Sequence, residues 1–169
     1  YLSGLSKYMD WHFRRTAREL MNRYSPRNVL EIAANDGGMI QFIKDRPVLG
    51  IDPMDVACKI MERKGVPYRH EKFTSQNADG IASNFGRFDL VFMASTIRSL
   101  PNLSDLFDGV SKVLSGNGMF IFEEPYIVDI LNRNEWDQLF AENIWGLTIS
   151  SVDSIAKRYG FKLVDIDLL

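Results

Sequence analysis

Three acidic side chains stand where a short apolar run gives way to turn residues: Glu31 and Asp36 within EIAANDGG, and Asp52 at the end of PVLGID. Carboxylates so placed accept hydrogen bonds from hydroxyls and attract cationic groups, which is the chemistry of holding a polar small molecule. The residues between them are small: Ala33, Asn35, Gly37 and Gly38 let a ligand approach the backbone. A dinucleotide turn needs G-x-G-x-x-G, so that a pyrophosphate can meet backbone amides at a helix N-terminus. The three corresponding positions are Ala33, Asn35 and Gly38, and the carboxylate of Asp36 at the mouth of the next element repels a phosphate. The residues therefore favour a phosphate-free ligand carrying an amine.

Such a turn is useful only if strands and helices hold it. Residues 6–24 place Met9, Phe13, Ala17, Leu20, Met21 and Tyr24 at helical spacing and stop before Ser25-Pro26. Strands are predicted over 28–33, 47–52, 67–70, 88–95 and 118–125. Helices are predicted over 38–45, 54–65, 75–85 and 103–116, with Gly116 and Gly118 around the end of the last. Beyond Pro125 the alternation breaks into helical pieces over 126–133, 135–143 and 151–160, and a final strand is predicted over 162–169. Strands alternating with helices, the strands apolar on both faces, specify a doubly wound, Rossmann-like α/β domain with a mostly parallel sheet and helices on both faces. Residues 1–27 read as a leading helix packed on the core and 28–169 as the α/β domain.

The chain's 169 residues suit one domain, and 20 basic against 22 acidic side chains create no general attraction to nucleic acid or membrane surfaces. No window approaches the roughly 18 apolar residues of a membrane span. The single Cys58 permits no internal disulfide and no zinc site of its own, which fits a reducing, cytoplasmic compartment. The first residue is Tyr1, no signal segment opens the chain, and the beginning is expected to be cut from something longer.

S-adenosylmethionine is a ligand with a free amine and no phosphate, and Asp52 ends the second strand, where a carboxylate accepts hydrogen bonds from two ribose hydroxyls. The alternative for Asp52 is a helix cap, with Pro53 as the first helical position. The segments YLSGLSKYMDWHF, VLEIAANDGG, GIDP, VPYRHEKFT, FDLVFMASTIRSLPNL, GNGMFIFEEPYIVDIL and WDQLFAENIWGLTISSV, taken in order, resemble class I S-adenosylmethionine-dependent methyltransferases. More narrowly they resemble the central domain of sugar C-methyltransferases, whose members act on nucleotide-linked deoxysugars. The motif E-x-P-Y at Glu123, Pro125 and Tyr126 and P-N-L at Pro101 to Leu103 carry the narrower likeness.

By that resemblance Glu31, Ala33, Asn35, Asp36, Gly37, Asp52 and Pro53 hold the cofactor, Phe73 and Thr74 flank its adenine, and Ala94 and Ser95 lie against it. Core packing is the alternative for Phe73. Sheets of this family add a last, antiparallel strand that is not expected here, which leaves three readings open: a truncated gene, a fragment, or an edge covered by another copy of the chain.

The departures concern chemistry. The family's reactive segment reads Tyr-His-Glu-His, whereas this chain has Phe140, Ala141, Glu142 and Asn143, and a further family histidine falls at Ser99. A carbon acceptor must lose a proton before it attacks a methyl group, and neither Asn143 nor Phe140 can accept one. Glu142 is the remaining candidate base, with Asn143 beside it; a structural carboxylate is the alternative for Glu142. His12 matches a family position in the leading helix and reads as packing or capping. An oxygen or nitrogen acceptor needs mainly proximity and alignment. Two functions stay open, a methyltransferase acting on a small acceptor and a catalytically degenerate cofactor-binding or interaction module. A nucleotide-linked oxidoreductase is argued against by the missing glycines.

Overall fold

A computed structural model describes residue 2 and residues 5–167. Helix α1 (Lys7–Tyr24) starts at Ser6, whose hydroxyl accepts the Met9 amide, and ends at Ser25 in a left-handed conformation. Then follow β1 (Val29–Ile32), a 3₁₀ turn (Ile40–Phe42), β2 (Val48–Asp52), α2 (Asp55–Arg63), β3 (Tyr68–His70), α3 (Ser75–Phe85), β4 (Phe88–Ala94) and α4 (Leu103–Val113). The chain continues with β5 (Leu114–Glu123), α5 (Ile127–Arg133) and α6 (Ile149–Arg158).

The five strands pair in the order β3-β2-β1-β4-β5, every pairing parallel. Alternation along β1 sends Leu30 and Ile32 into one core and Val29 into the other. The first core is sealed by Ala78 and Ile81 of α3 and Leu106, Val110 and Val113 of α4. The second is sealed by Phe13 and Ala17 of α1 and Cys58 and Met61 of α2. Gly50 is required beneath α2, because a methyl group there would meet the Met61 sulfur at 2.8 Å and Ile40 at 3.0 Å. The strand order reverses between β1 and β4, and in open α/β sheets the crevice at such a reversal receives ligands.

Four sequence expectations are corrected. The helix predicted over 38–45 is only the 3₁₀ turn, since the chain is already extended at Ile43 on its way to β2. The helix predicted over 103–116 stops at Val113, and Gly116 and Gly118 lie inside β5. Leu114 pairs with Phe88 across a register shift, and Gly118 makes room for it, because a Cβ there would stand 2.8 Å from the Leu114 side chain. Residues 135–143 hold a 3₁₀ turn, Trp136–Gln138, and otherwise irregular backbone.

Residues 161–167 form no strand; 168 and 169 lie outside the described residues. A strand exists only through a partner's hydrogen bonds, and this tail is held instead by Arg23, which binds Asp165 and Asp167 through their side chains. An open groove of about 1090 Å³, lined among others by Phe120, Phe122, Phe161 and Val164, runs beside β5.

Candidate functional site

The turn after β1 keeps a glycine-like backbone without the usual glycines. Ala33, Asn35 and Gly37 all have positive φ, at 54°, 52° and 89°. A left-handed conformation costs an ordinary residue about 1–2 kcal/mol, so the surroundings must enforce it. The Ala34 amide donates to Ile51 O at 3.1 Å, the Gly37 and Gly38 amides donate to Ala34 O, and the Asp36 amide is taken by Asn35 Oδ1 at 2.9 Å. Strained backbone of this kind collects at ligand sites.

Asp52 ties this turn to the next strand end. Its Oδ2 accepts the Asn35 amide and its Oδ1 the Met54 amide, each at 2.8 Å, and the residue is 4 % exposed. The helix-cap alternative is not realised: α2 begins at Asp55 with Met54 as its N-cap, and Pro53 stands outside the helix. Each carboxylate oxygen has a further lone pair for a ligand hydroxyl. Pro53 offers its carbonyl to His70 Nε2 at 3.0 Å.

Glu31 lies on the opposite side of β1 from the Leu30 core. Its carboxylate accepts the Met39 amide at 3.1 Å and the Ile40 amide at 3.0 Å, supporting the turn from beneath. Burial pushes its pKa up to about 7 despite these two donors, and the negative charges of Asp36 and Glu123 add to the effect. Asp36, also buried, receives Lys64 Nζ at 3.2 Å on its carboxylate and at 2.7 Å on its carbonyl.

The other two strand ends supply smaller groups. Ala94 is in register with Glu123, and Ser95, with φ 50°, donates its amide to Glu123 O at 2.8 Å. Phe73 is core: a Cβ on Gly109 would stand 2.8 Å from its ring. Thr74 caps α3 in a reciprocal pair with Asn77.

Beyond β4 and β5 the irregular segment 134–147 is strapped to residues 97–100. Arg98 donates from Nη1 to Gln138 O at 2.9 Å, while its own carbonyl accepts the amides of Ile144 and Trp145 at 2.8 and 3.0 Å. Trp145 Nε1 donates to Leu100 O at 2.6 Å. Under the strap Arg98 Nε faces Glu124 Oε2 at 3.8 Å, and neither buried atom has a hydrogen-bond partner among the described residues. Burial drives the Glu124 carboxyl above its ordinary range. Of the residues in the reactive segment, Glu142 is exposed, Phe140 is exposed with its ring beneath the Arg98 guanidinium, and half-buried Asn143 donates to Ser99 Oγ at 3.2 Å.

The structure thus gathers Ala33, Asn35, Asp36, Gly37 and Asp52 at the ends of β1 and β2, with Ala94 and Ser95 across the strand reversal. It leaves Glu142 in solvent. Glu124, Arg98 and the pair formed by His12 Nε2 and Glu123 Oε2, at 2.8 Å, lie outside the catalytic and cofactor positions picked from sequence. The rule that singled out Asp52, an acidic residue closing an apolar strand, applies equally to Glu123 and Glu124 in GMFIFEEP.

The profile of a family described as methyltransferase domain matches residues 7–166. The C-methyltransferase NovU of Streptomyces niveus is 26% identical over 140 residues, covering 82% of this chain but only 33% of that protein. This chain therefore spans about a third of that relative's length. Among solved structures, a SAM-dependent methyltransferase from Archaeoglobus fulgidus superimposes with TM-score 0.65 at 16% identity, over 90% of this chain and 69% of that one. The plantazolicin methyltransferase BpumL, solved with a triazolic desmethylPZN analog and SAH, gives TM-score 0.66 at 12% identity, over 89% and 62%. At these identities the two structures share a fold with this chain.

Proposed function

We propose a methyl-transfer function on the premise that this chain belongs to the methyltransferase domain family. The cofactor is S-adenosylmethionine, which when bound supplies an electrophilic methyl group on a cationic sulfur. The acceptor is a small molecule of the nucleotide-linked deoxysugar class, a reading that rests on the sugar C-methyltransferase resemblance carried by the motifs at Glu123, Pro125 and Tyr126; the likeness to NovU supports carbon as the methylated atom. The single buried Cys58, unpaired, supports work in a reducing compartment such as the cytoplasm.

The observation that carries the cofactor assignment is the bridge that Asp52 makes between the left-handed turn after β1 and the start of α2. The buried acidic set of Glu31, Asp36 and Asp52 fits a sulfonium and an ammonium and disfavours a pyrophosphate. Asp52 would take the ribose hydroxyls; Ala33, Asn35 and Gly37 shape the backbone under the amino-acid end; Ser95 and Ala94 form the opposite wall. Glu31 acts by holding the turn, and Phe73 and Thr74 by fixing the start of α3 at the adenine side. Aligning the acceptor with the methyl group supplies most of the rate when the nucleophile is oxygen or nitrogen. Calorimetry with S-adenosylmethionine and S-adenosylhomocysteine at micromolar protein tests this: no heat of binding from a chain with a folded spectrum rejects it.

A second reading has its own observation. Ser99 and Asn143 are bonded to each other and Glu142 is solvated, an arrangement suited to a cofactor-binding module without turnover. Transfer of a labelled methyl group to a deoxysugar nucleotide, lost in Asp52→Ala, excludes that reading.

A further inference from the structure

In the strap the candidate base Glu142 is exposed to solvent, whereas α1 carries a shielded one. The chain has two histidines. His70 is exposed on β3 and bonds to the Pro53 carbonyl. His12 is shielded yet reachable, its side chain 13 % exposed, and its Nε2 meets Glu123 Oε2, 18 % exposed, at 2.8 Å. Thr16, one helical turn on, donates to the second oxygen of Glu123 at 3.4 Å and fixes the carboxylate.

Glu123 is the last residue of β5, in register with Ala94, and its carbonyl holds the Ser95 amide. The pair therefore stands at the carboxyl ends of β4 and β5, beside the Ala94 and Ser95 wall of the proposed cofactor site. The next residue of α1, Phe13, contacts the position where a Gly38 side chain would sit, so the helix is anchored to the cofactor turn as well. The ring of Tyr8 lies nearly parallel to the imidazole, with centroids 6.4 Å apart. A carboxylate only accepts, so His12 donates from Nε2 and Nδ1 keeps its lone pair. A base oriented by a carboxylate that also stabilises its protonated form is a general arrangement for proton abstraction.

We infer that His12, oriented by Glu123, is the proton acceptor for a carbon acid bound beside Ser95. The inference rests on the methyltransferase reading above. His12 Nδ1 takes the proton from the carbon next to a carbonyl, and the C–H electron pair moves into that carbonyl as an enolate. That carbon would then be the nucleophile for the electrophilic methyl group a bound S-adenosylmethionine supplies, with the electron pair of the methyl–sulfur bond left on sulfur. The imidazolium returns its proton to water.

The test separates proton removal from methyl transfer. A nucleoside-diphosphate-linked 4-keto-6-deoxyhexose is incubated in deuterium oxide with the chain and S-adenosylhomocysteine, and NMR follows exchange at the carbons beside the ketone. The wild-type chain is expected to accelerate exchange over buffer, His12→Gln to lower it at least about 100-fold, and Glu123→Gln about 10-fold. Calorimetric binding of S-adenosylhomocysteine is expected to stay unchanged in His12→Gln. Wild-type exchange rates in His12→Gln, or in His12→Asn should the first variant misfold, overturn the inference. So does the absence of exchange by a wild-type chain that binds S-adenosylhomocysteine, which leaves the cofactor reading standing. Absence of both rejects the two together.

Discussion

Asn143 donates from Nδ2 to Ser99 Oγ at 3.2 Å, while its Oδ1 accepts the Phe140 amide at 2.9 Å. One amide side chain thus closes the turn at 140–143 and fastens it to the segment after β4. Asn143→Ala is expected to cost about 1 kcal/mol in urea unfolding and to speed amide exchange at Ile144 and Trp145. Unchanged exchange there would show that the strap is held by Arg98 and the Trp145–Leu100 bond without Asn143.

Arg98 and Glu124 are the deeper fastening. Arg98→Met leaves the Glu124 carboxyl buried without its cation, and losses on the order of 3 kcal/mol follow when one member of a buried ion pair is removed. The double variant Arg98→Met/Glu124→Gln is expected to recover a large part of that loss, because the second change removes the uncompensated charge. Denaturant midpoints of the three proteins form the cycle, and strict additivity would disprove the coupling.

Asp52 joins two backbone amides and, by assignment, a ribose. Asp52→Ala is expected to weaken S-adenosylhomocysteine binding about 10- to 100-fold, the range set by loss of hydrogen bonds to a charged group. Its calorimetric signature is a smaller binding enthalpy. Affinity within twofold of wild type would remove Asp52 from the cofactor site.

Glu31 makes stability depend on pH. Its folded pKa of about 7 exceeds its ordinary value of 4.5, so the native state holds the proton more tightly. The resulting stabilisation is complete below pH 4.5, declines as pH rises to 7 and is gone above it. Glu31→Gln removes this dependence. Relative to wild type, the variant is expected to gain on the order of 3 kcal/mol between pH 4.5 and pH 8, measured by urea unfolding at several pH values. Parallel curves for the two proteins would show that Glu31 ionises normally.

Elements whose determinants are local were legible in the sequence. Helix α1 was readable from its spacing and its Ser6 cap, and α3 coincides with its predicted span because Thr74 and Asn77 cap it locally. Elements decided by distant partners were not. MIQFI has one apolar face and reads as a helix, but Glu31 takes its first amides and the chain leaves for β2. LSG reads as the end of a helix with glycines around it, yet pairing with β4 makes Leu114 onward part of β5. The same division runs through the site. Acidic residues at strand ends were visible as a set; the direction of Glu31 follows from its parity with Val29, a period-two clue that was available. The approach of His12 to Glu123, across 111 positions, has no local signature.

Because each strand pairing is parallel, no part of this sheet can form by a hairpin. Residues 29–54 can assemble β1, β2 and the Asp52 bridge early, since they are neighbours in sequence. The other wall is distant in sequence: Val29 pairs with Leu90 across the intervening β2, α2, β3 and α3, and Ser95 follows β4. Long separations of this kind slow folding. A ligand gripping Asp52 and Ser95 together therefore binds only the completed sheet. It acts as a clasp on the folded state, and its concentration raises the melting temperature by mass action.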